Sequence, residues 1–295
     1  MIESQYVFNG FAPNDLIAQK DPIKNALERF GVAVFPGIMN GDSLFERFRK
    51  DLQAFTQVLA QKSGIRLDSS LSWDAQLTYL AAHDRPLVGA IYDMGTRPQK
   101  LMSGHQLKAH PAFLALIQAI FGDNALIATP TQSDTMHIFP PGSENFRFNL
   151  PIHQDFPYLL QSPRQLTFLL TLERAVENIG GLTVWLGSHQ LGVCPSFQND
   201  LGYYEVKIST EVLSRYEEVD ICSDQGDLVI IDSLLLHRSN ENHTPNNTRI
   251  VQLFRYSDIC VEEALAFHAA SSDHSGKGAQ YPGIYPSMFV SKSGA

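Results

Sequence analysis

The first third of the chain carries apolar residues at helical spacing. Leu44, Phe45, Phe48, Leu52, Phe55, Val58 and Leu59 recur every three or four positions, which puts them on one face of a helix. Asp42-Ser43 supply an N-cap before this stripe, and Gly64 supplies a stop after it. A second helix is predicted over Trp73–His83. A third runs over Pro111–Phe121, with Pro in its first turn and Gly122 as its C-cap. Such stripes need a larger surface against which to bury.

After Gly122 the pattern shortens. Runs rich in β-branched and aromatic residues cover 125–138, 165–172, 182–186, 204–208, 227–231, 234–239 and 248–256, separated by Pro, Gly, Asn and Asp clusters. No helix-sized segment separates most of them. That argues against a parallel βαβ sheet and for a jelly-roll or barrel of short antiparallel strands. No internal repeat, low-complexity tract or clean linker divides the chain. One domain is expected over 1–295: a mainly helical casing at 1–124, a β-core at 125–257 and a C-terminal extension at 258–295. Within that extension 271–280 reads as a loop.

Composition narrows the functional classes. Of 295 residues, 44% are apolar and 18% charged, the balance of a packed core. Lys and Arg total 22 against 31 Asp and Glu, a net charge of −9 with no basic block. This speaks against nucleic acid and against anionic lipid as partners. The start, MIESQYVFNG, has no basic segment followed by an apolar one, and no apolar run approaches the ~20 residues of a spanning helix. Cys194, Cys222 and Cys260 are too few and too scattered for a disulfide framework and form no CxxC. A reducing, cytoplasmic setting is expected; oligomeric state is left open.

Several common catalytic signatures are absent. The sequence has no HExxH, no GxSxG, and no GxGxxG after a strand. Gly276-Lys277 lacks the remaining residues of a P-loop.

The most informative segment is Pro151-Ile152-His153-Gln154-Asp155. In extended structure His153 and Asp155 project to the same side and offer an imidazole and a carboxylate to one divalent metal. His237, 84 residues further on in a β-run, is the best third ligand. Two His and one carboxylate form the facial triad of non-haem Fe(II) oxygenases, which leaves three positions open. An HxD triplet also arises by chance, and a lone His is often structural. Arg249 follows His237 by 12 residues. A turn-rich hairpin through 242–247 is predicted to set these two strands side by side. An Arg among Ile, Val and Leu that points into a pocket needs an anion. A guanidinium suits a carboxylate such as the C5 group of 2-oxoglutarate, whose other end could chelate iron. Ser239 shares the parity of His237 and could assist. The alternative is a strand Arg paired with a surface acid. His137 either packs within a strand or lines the pocket. His189 reads as a turn residue, and Asp227 and Asp232 as loop holders or partners of His237.

The ordered set of His153-Gln154-Asp155, the run 178–192 (NIGGLTVWLGSHQLG), Gly226-Asp227, Asp232, His237-x-Ser239 and Arg249 resembles the phytanoyl-CoA dioxygenase family of Fe(II)/2-oxoglutarate oxygenases. The resemblance spans about Phe139 to Tyr256, including the turn Pro140-Pro141-Gly142. It implies a double-stranded β-helix with N-terminal helices packed outside. It places the iron ligands on His153, Asp155 and His237, and the 2-oxoglutarate Arg and Ser on Arg249 and Ser239. Two positions depart from the family's common pattern. Phe139 stands where many relatives have Lys, and 168–171 (FLLT) stands where many have Trp. Thr171 could supply a hydroxyl to the co-substrate instead.

The implied activity uses Fe(II), 2-oxoglutarate and O2 to oxidise an unactivated C–H bond of a small molecule. Hydroxylation is the first expectation, with desaturation or ring formation as alternatives. The Asp155 carboxylate argues against halogenation. Two other readings are a jelly-roll binding protein without turnover and a cupin-like metal enzyme independent of 2-oxoglutarate. The substrate pocket is expected between the N-terminal helices and 191–225, which holds Phe197, Tyr203, Tyr204 and Tyr216. Nothing in the charge pattern supports a CoA polyphosphate site.

Overall fold

The structure is a computed structural model that describes residues 5–10, 16, 18–95, 101–129, 135–142, 150–159, 162–176, 178–200 and 203–259. The expected loop at 271–280 and most of the C-terminal extension lie outside the described residues.

Eleven strands are described: β1 Val32–Phe35, β2 Ile127–Ala128, β3 Met136–Phe139, β4 Gln165–Thr171, β5 Leu182–Trp185, β6 Ser196–Gln198, β7 Tyr204–Val206, β8 Glu218–Ile221, β9 Leu228–Asp232, β10 His237–Ser239 and β11 Arg249–Asp258. The major sheet runs β1-β9-β4-β11-β2, with β3 also paired to β11. A smaller sheet runs β10-β5-β8, and β6 and β7 form a separate pair. Every pairing between these strands is antiparallel. The mainly β, jelly-roll fold with flanking helices is therefore as expected.

Eight α-helices are present among the described residues: α1 Lys20–Phe30, α2 Ser43–Lys62, α3 Trp73–His83, α4 Arg85–Gly95, α5 Met102–Lys108, α6 Pro111–Phe121, α7 Phe156–Leu159 and α8 Thr210–Leu213. The three predicted helices are α2, α3 and α6. Asp42 caps α2, its carboxylate accepting from the Leu44 and Phe45 amides at 2.9 and 2.8 Å. Helix α6 starts on Pro111 and ends at Gly122. It lies on the outer face of the major sheet, where Phe113 meets Phe168 and Phe254 at ring-centroid distances of 5.5 and 6.0 Å. All three rings are fully buried, so truncating any one to Ala removes about 3–5 kcal/mol.

The structure adds to or corrects the expectations at three points. The mainly helical casing also contributes β1, which pairs with β9 at the edge of the major sheet; all four of its residues are buried, and so short an apolar run carries no period. Strands β6 and β8 escaped the reading because they are short and partly exposed. The segment 242–247 is not a hairpin, since β10 pairs with β5 whereas β11 pairs with β2, β3 and β4. It crosses between the sheets. Asn242 holds the crossover, donating from Nδ2 to the carbonyls of Phe139 and Asn247 at 2.7 and 2.6 Å.

Within the 178–192 run, Gly180 lies at a close approach of backbone. Gly180 has φ +79°, and a Cβ there would strike the Glu241 carbonyl on that crossover.

Candidate metal centre

A bridge between the 151–155 segment and strand β10 brings the predicted ligands together. His153 forms an isolated antiparallel bridge with His237, and each amide donates to the other's carbonyl, at 3.0 and 3.1 Å. Asp155, two residues on from His153, projects to the same side. Its Oδ1 lies 3.8 Å from Nε2 of His153 and 3.9 Å from Nε2 of His237. One ligand atom from each of these three residues falls within 4.8 Å of the others. All three side chains are buried.

The intervening Gln154 faces the opposite way, and its role is structural. Its Nε2 donates to the carbonyls of Gly192 and Leu234 at 2.8 and 2.7 Å, and its Oε1 accepts from the Cys194 amide at 2.9 Å. One side chain thus ties the His153–Asp155 segment to two neighbouring loops.

The tautomers follow from the hydrogen bonds. Nδ1 of His153 is 2.8 Å from the Pro151 carbonyl, and Nδ1 of His237 is 2.9 Å from the Leu235 carbonyl. A carbonyl only accepts, so each Nδ1 carries the proton and each Nε2 keeps its lone pair. Burial, with the neighbouring His237, lowers the pKa of His153 to about 3; burial also lowers that of His237. Both rings are neutral at physiological pH. Burial alone would raise the Asp155 pKa, but the adjoining Arg255, with the two histidines and the Thr167 hydroxyl, holds it well below the usual carboxylate range. Two neutral imidazoles and one carboxylate are the donor set a divalent transition metal takes, with positions left for other ligands.

The same cavity reaches the other predicted residues. His137, Leu169, Ser223, Ser239 and Arg249 line it together with the three candidate ligands. Arg249 is 9% exposed and makes no salt bridge with a described carboxylate. Its guanidinium carbon lies 4.1 Å from the centre of the Phe139 ring, its Nε has no hydrogen-bond partner, and burial lowers its pKa to about 10. The pairing of Arg249 with a surface acid is therefore not what the fold does. Thr171 does not line the cavity itself; its hydroxyl is 2.5 Å from that of Ser223, which does.

The Asp and His residues held in reserve settle into structural places. Asp227 accepts from the amides of Gly37 and Asp224 at 2.6 and 2.7 Å. Asp232 accepts from the Leu234 amide at 2.8 Å. Neither orients His237, whose Nδ1 is taken by Leu235. His189 bonds the Glu28 carbonyl at 3.1 Å.

The family model for phytanoyl-CoA dioxygenase (PhyH) matches residues 27–251, about three quarters of the chain. The chain belongs to the phytanoyl-CoA dioxygenase family. Among solved structures, this family member is similar to the epimerase SnoN in complex with Fe3+, α-ketoglutarate and nogalamycin RO. The TM-score is 0.54 at 17% identity, over 82% of this chain and 84% of SnoN. It is also similar to EctD from S. alaskensis with 2-oxoglutarate and 5-hydroxyectoine, with TM-score 0.53 and 18% identity over 86% of this chain and 81% of EctD. The carbocyclase SnoK from nogalamycin biosynthesis gives TM-score 0.52 at 15% identity, over 79% of this chain and 82% of SnoK. At these identities the likeness is one of fold. No curated protein matches the chain by sequence.

Four residues of the site escaped the sequence reading or were left open by it. His137 lines the cavity rather than only packing in its strand. Ser223 lies in a loop with no motif. Thr167 and Arg255 both reach Asp155. Strand parity marks Arg255 as sharing a face with Arg249, but a distance of six residues along the strand gave no reason to connect it with Asp155.

Proposed function

We propose that this protein is an Fe(II)- and 2-oxoglutarate-dependent oxygenase that hydroxylates a small molecule. The observation that carries this reading is the convergence, in one cavity, of the His153–Asp155–His237 cluster and a buried Arg249 without a carboxylate partner. Nε2 of His153, Nε2 of His237 and Oδ1 of Asp155 would hold the metal, and Arg249 with Ser239 would take the C5 carboxylate of 2-oxoglutarate. Thr171 would act through Ser223. When bound, the metal supplies O2 activation, so that 2-oxoglutarate, O2 and R–H become succinate, CO2 and R–OH.

The chain's own residues do the remaining work. The Pro151 and Leu235 carbonyls keep the two imidazoles in the tautomer that can ligate. Arg249 supplies a fixed positive charge in a dry wall, where a carboxylate gains more from it than it would in water. The ring of Phe139 covers one face of that guanidinium and leaves its edge for the co-substrate. Leu169 and Leu253 give apolar wall to the cavity that holds Arg249 and the cluster. Asp155 keeps a carboxylate where halogenation would need an open position, which supports hydroxylation.

Acidic composition and the lack of a basic block support a small-molecule substrate over nucleic acid. Among the described residues no helix is long and apolar enough to cross a membrane. Cys194 and Cys222 are free thiols, in keeping with a reducing, cytoplasmic setting. The test is succinate formation from 2-oxoglutarate with Fe(II), ascorbate and a panel of candidate substrates, beside direct titration of metal. Binding of metal and 2-oxoglutarate with succinate release supports the reading. Absence of both binding and turnover in the wild-type protein refutes it.

A further inference from the structure

Both oxygens of Asp155 are already engaged by the protein. Oδ2 accepts from the Thr167 hydroxyl at 2.5 Å, and Oδ1 accepts from Nη2 of Arg255 at 3.2 Å. Thr167 and Arg255 are not independent neighbours. They sit directly opposite each other in the β4–β11 ladder, on the inward face, and both are buried. One cross-strand pair therefore grips one carboxylate at both ends.

The geometry of the carboxylate gives this grip a consequence. An ionised carboxylate offers about four lone-pair directions, two on each oxygen. Oδ1 is the oxygen that faces Nε2 of both His153 and His237. With one of its lone pairs taken by Arg255, one remains for a metal placed between the imidazoles. Oδ2 is held by the Thr167 hydroxyl.

We infer that Thr167 and Arg255 are positioning residues that restrict Asp155 to one-oxygen metal coordination through Oδ1. This rests on the functional reading above and deepens it. A carboxylate free to rotate could bind through both oxygens and use up one of the three positions that a co-substrate and O2 require. The clamp keeps that position open. Arg255 also offsets the charge of Asp155 in a dry interior, where an uncompensated carboxylate would be costly. Arg255 lies outside the residues matched by the family model, which ends at 251.

Cobalt(II) is the probe, because its visible d–d spectrum reports coordination number without turnover. Wild-type protein, Thr167→Val, Thr167→Ser, Arg255→Gln and Arg255→Lys are titrated with Co(II), and their spectra are recorded with and without 2-oxoglutarate. Thr167→Val and Arg255→Gln are expected to weaken Co(II) by about tenfold to a hundredfold, the usual effect of losing an outer hydrogen-bond partner. Their spectra should shift toward higher coordination number, and 2-oxoglutarate should change them less than it changes the wild type. Thr167→Ser and Arg255→Lys should restore most of both properties. A residue that only supports folding would lower Tm and leave the spectrum of the folded fraction unchanged. Should Arg255→Gln fail to fold, the nearly isosteric Thr167→Val and its Ser rescue decide the matter. Wild-type binding with Thr167→Val within about twofold and spectrally identical overturns the inference alone. A wild-type protein that takes up no Co(II) overturns the functional reading beneath it.

Discussion

The guanidinium of Arg249 stacks on the ring of Phe139, 4.1 Å from its centre, and the two residues are register partners on adjacent strands β11 and β3. The family resemblance leads to an expectation of Lys at this position. Phe139 offers an aromatic face there and not a second cation. It holds the charge of Arg249 in place without competing for an anion, a cation–π contact worth on the order of 1 kcal/mol. Arg249→Gln should therefore weaken 2-oxoglutarate on the order of a hundredfold, as expected for losing the charged partner of a buried carboxylate. Metal affinity should stay near that of the wild type. Titrating 2-oxoglutarate into Co(II)-loaded variant and wild type separates the two effects; equal affinity would place the co-substrate elsewhere.

Asp155→Ala removes the one anionic donor from the cluster. Metal binding should fall by more than the roughly hundredfold that an outer partner commands, and substrate-coupled succinate release should vanish. Calorimetric titration with Mn(II) measures the first, and succinate assay the second. Wild-type affinity in this variant would show that Asp155 is not a ligand.

Gln154 predicts a different phenotype from its two neighbours. Its three hydrogen bonds join Gly192, Cys194 and Leu234 to the ligand segment. Gln154→Ala leaves buried backbone groups unpaired and should cost about 2–4 kcal/mol of stability, while removing no metal donor. Urea denaturation of the metal-free protein checks this. A loss under about 0.5 kcal/mol, the range of ordinary surface changes, would contradict the structural role given to Gln154.

Asp232 makes stability depend on pH in an uncommon direction. Burial raises its pKa to about 6, against 3.8 for the ordinary side chain. The folded protein thus binds the proton more tightly than the unfolded chain. Stability contributed by the protonated form is fully present below about pH 4 and is lost as pH rises through about 6. Asp232→Asn keeps an acceptor for the Leu234 amide and cannot ionise. It should gain about 2–3 kcal/mol over wild type at pH 8, and much less at pH 4. Denaturant midpoints for both proteins at the two pH values test it, and a gain that is equal at both would refute the buried ionisation.

Local periodicity carries far along this chain. The stripe from Leu44 to Leu59, the cap at Asp42 and the Pro111–Gly122 helix are short-range features, and helix formation obeys short-range rules. The candidate ligands were readable for a similar reason. His153 and Asp155 share a strand face by the two-residue period alone, and the ordered spacing to His237 and Arg249 supplied the rest. Parity cannot say which strand lies opposite. It gave no sign that β1 joins the major sheet, or that 242–247 crosses between sheets instead of folding back. The same gap hid the clamp on Asp155. Thr167 and Arg255 are 88 residues apart in the chain and meet only because the β4–β11 register sets them face to face. Register is settled by burial summed over whole strands, which slips every side chain to the wrong face if it moves by one residue. Which groups could bind a metal was thus written locally; how the carboxylate among them is held was decided by the pairing of distant strands.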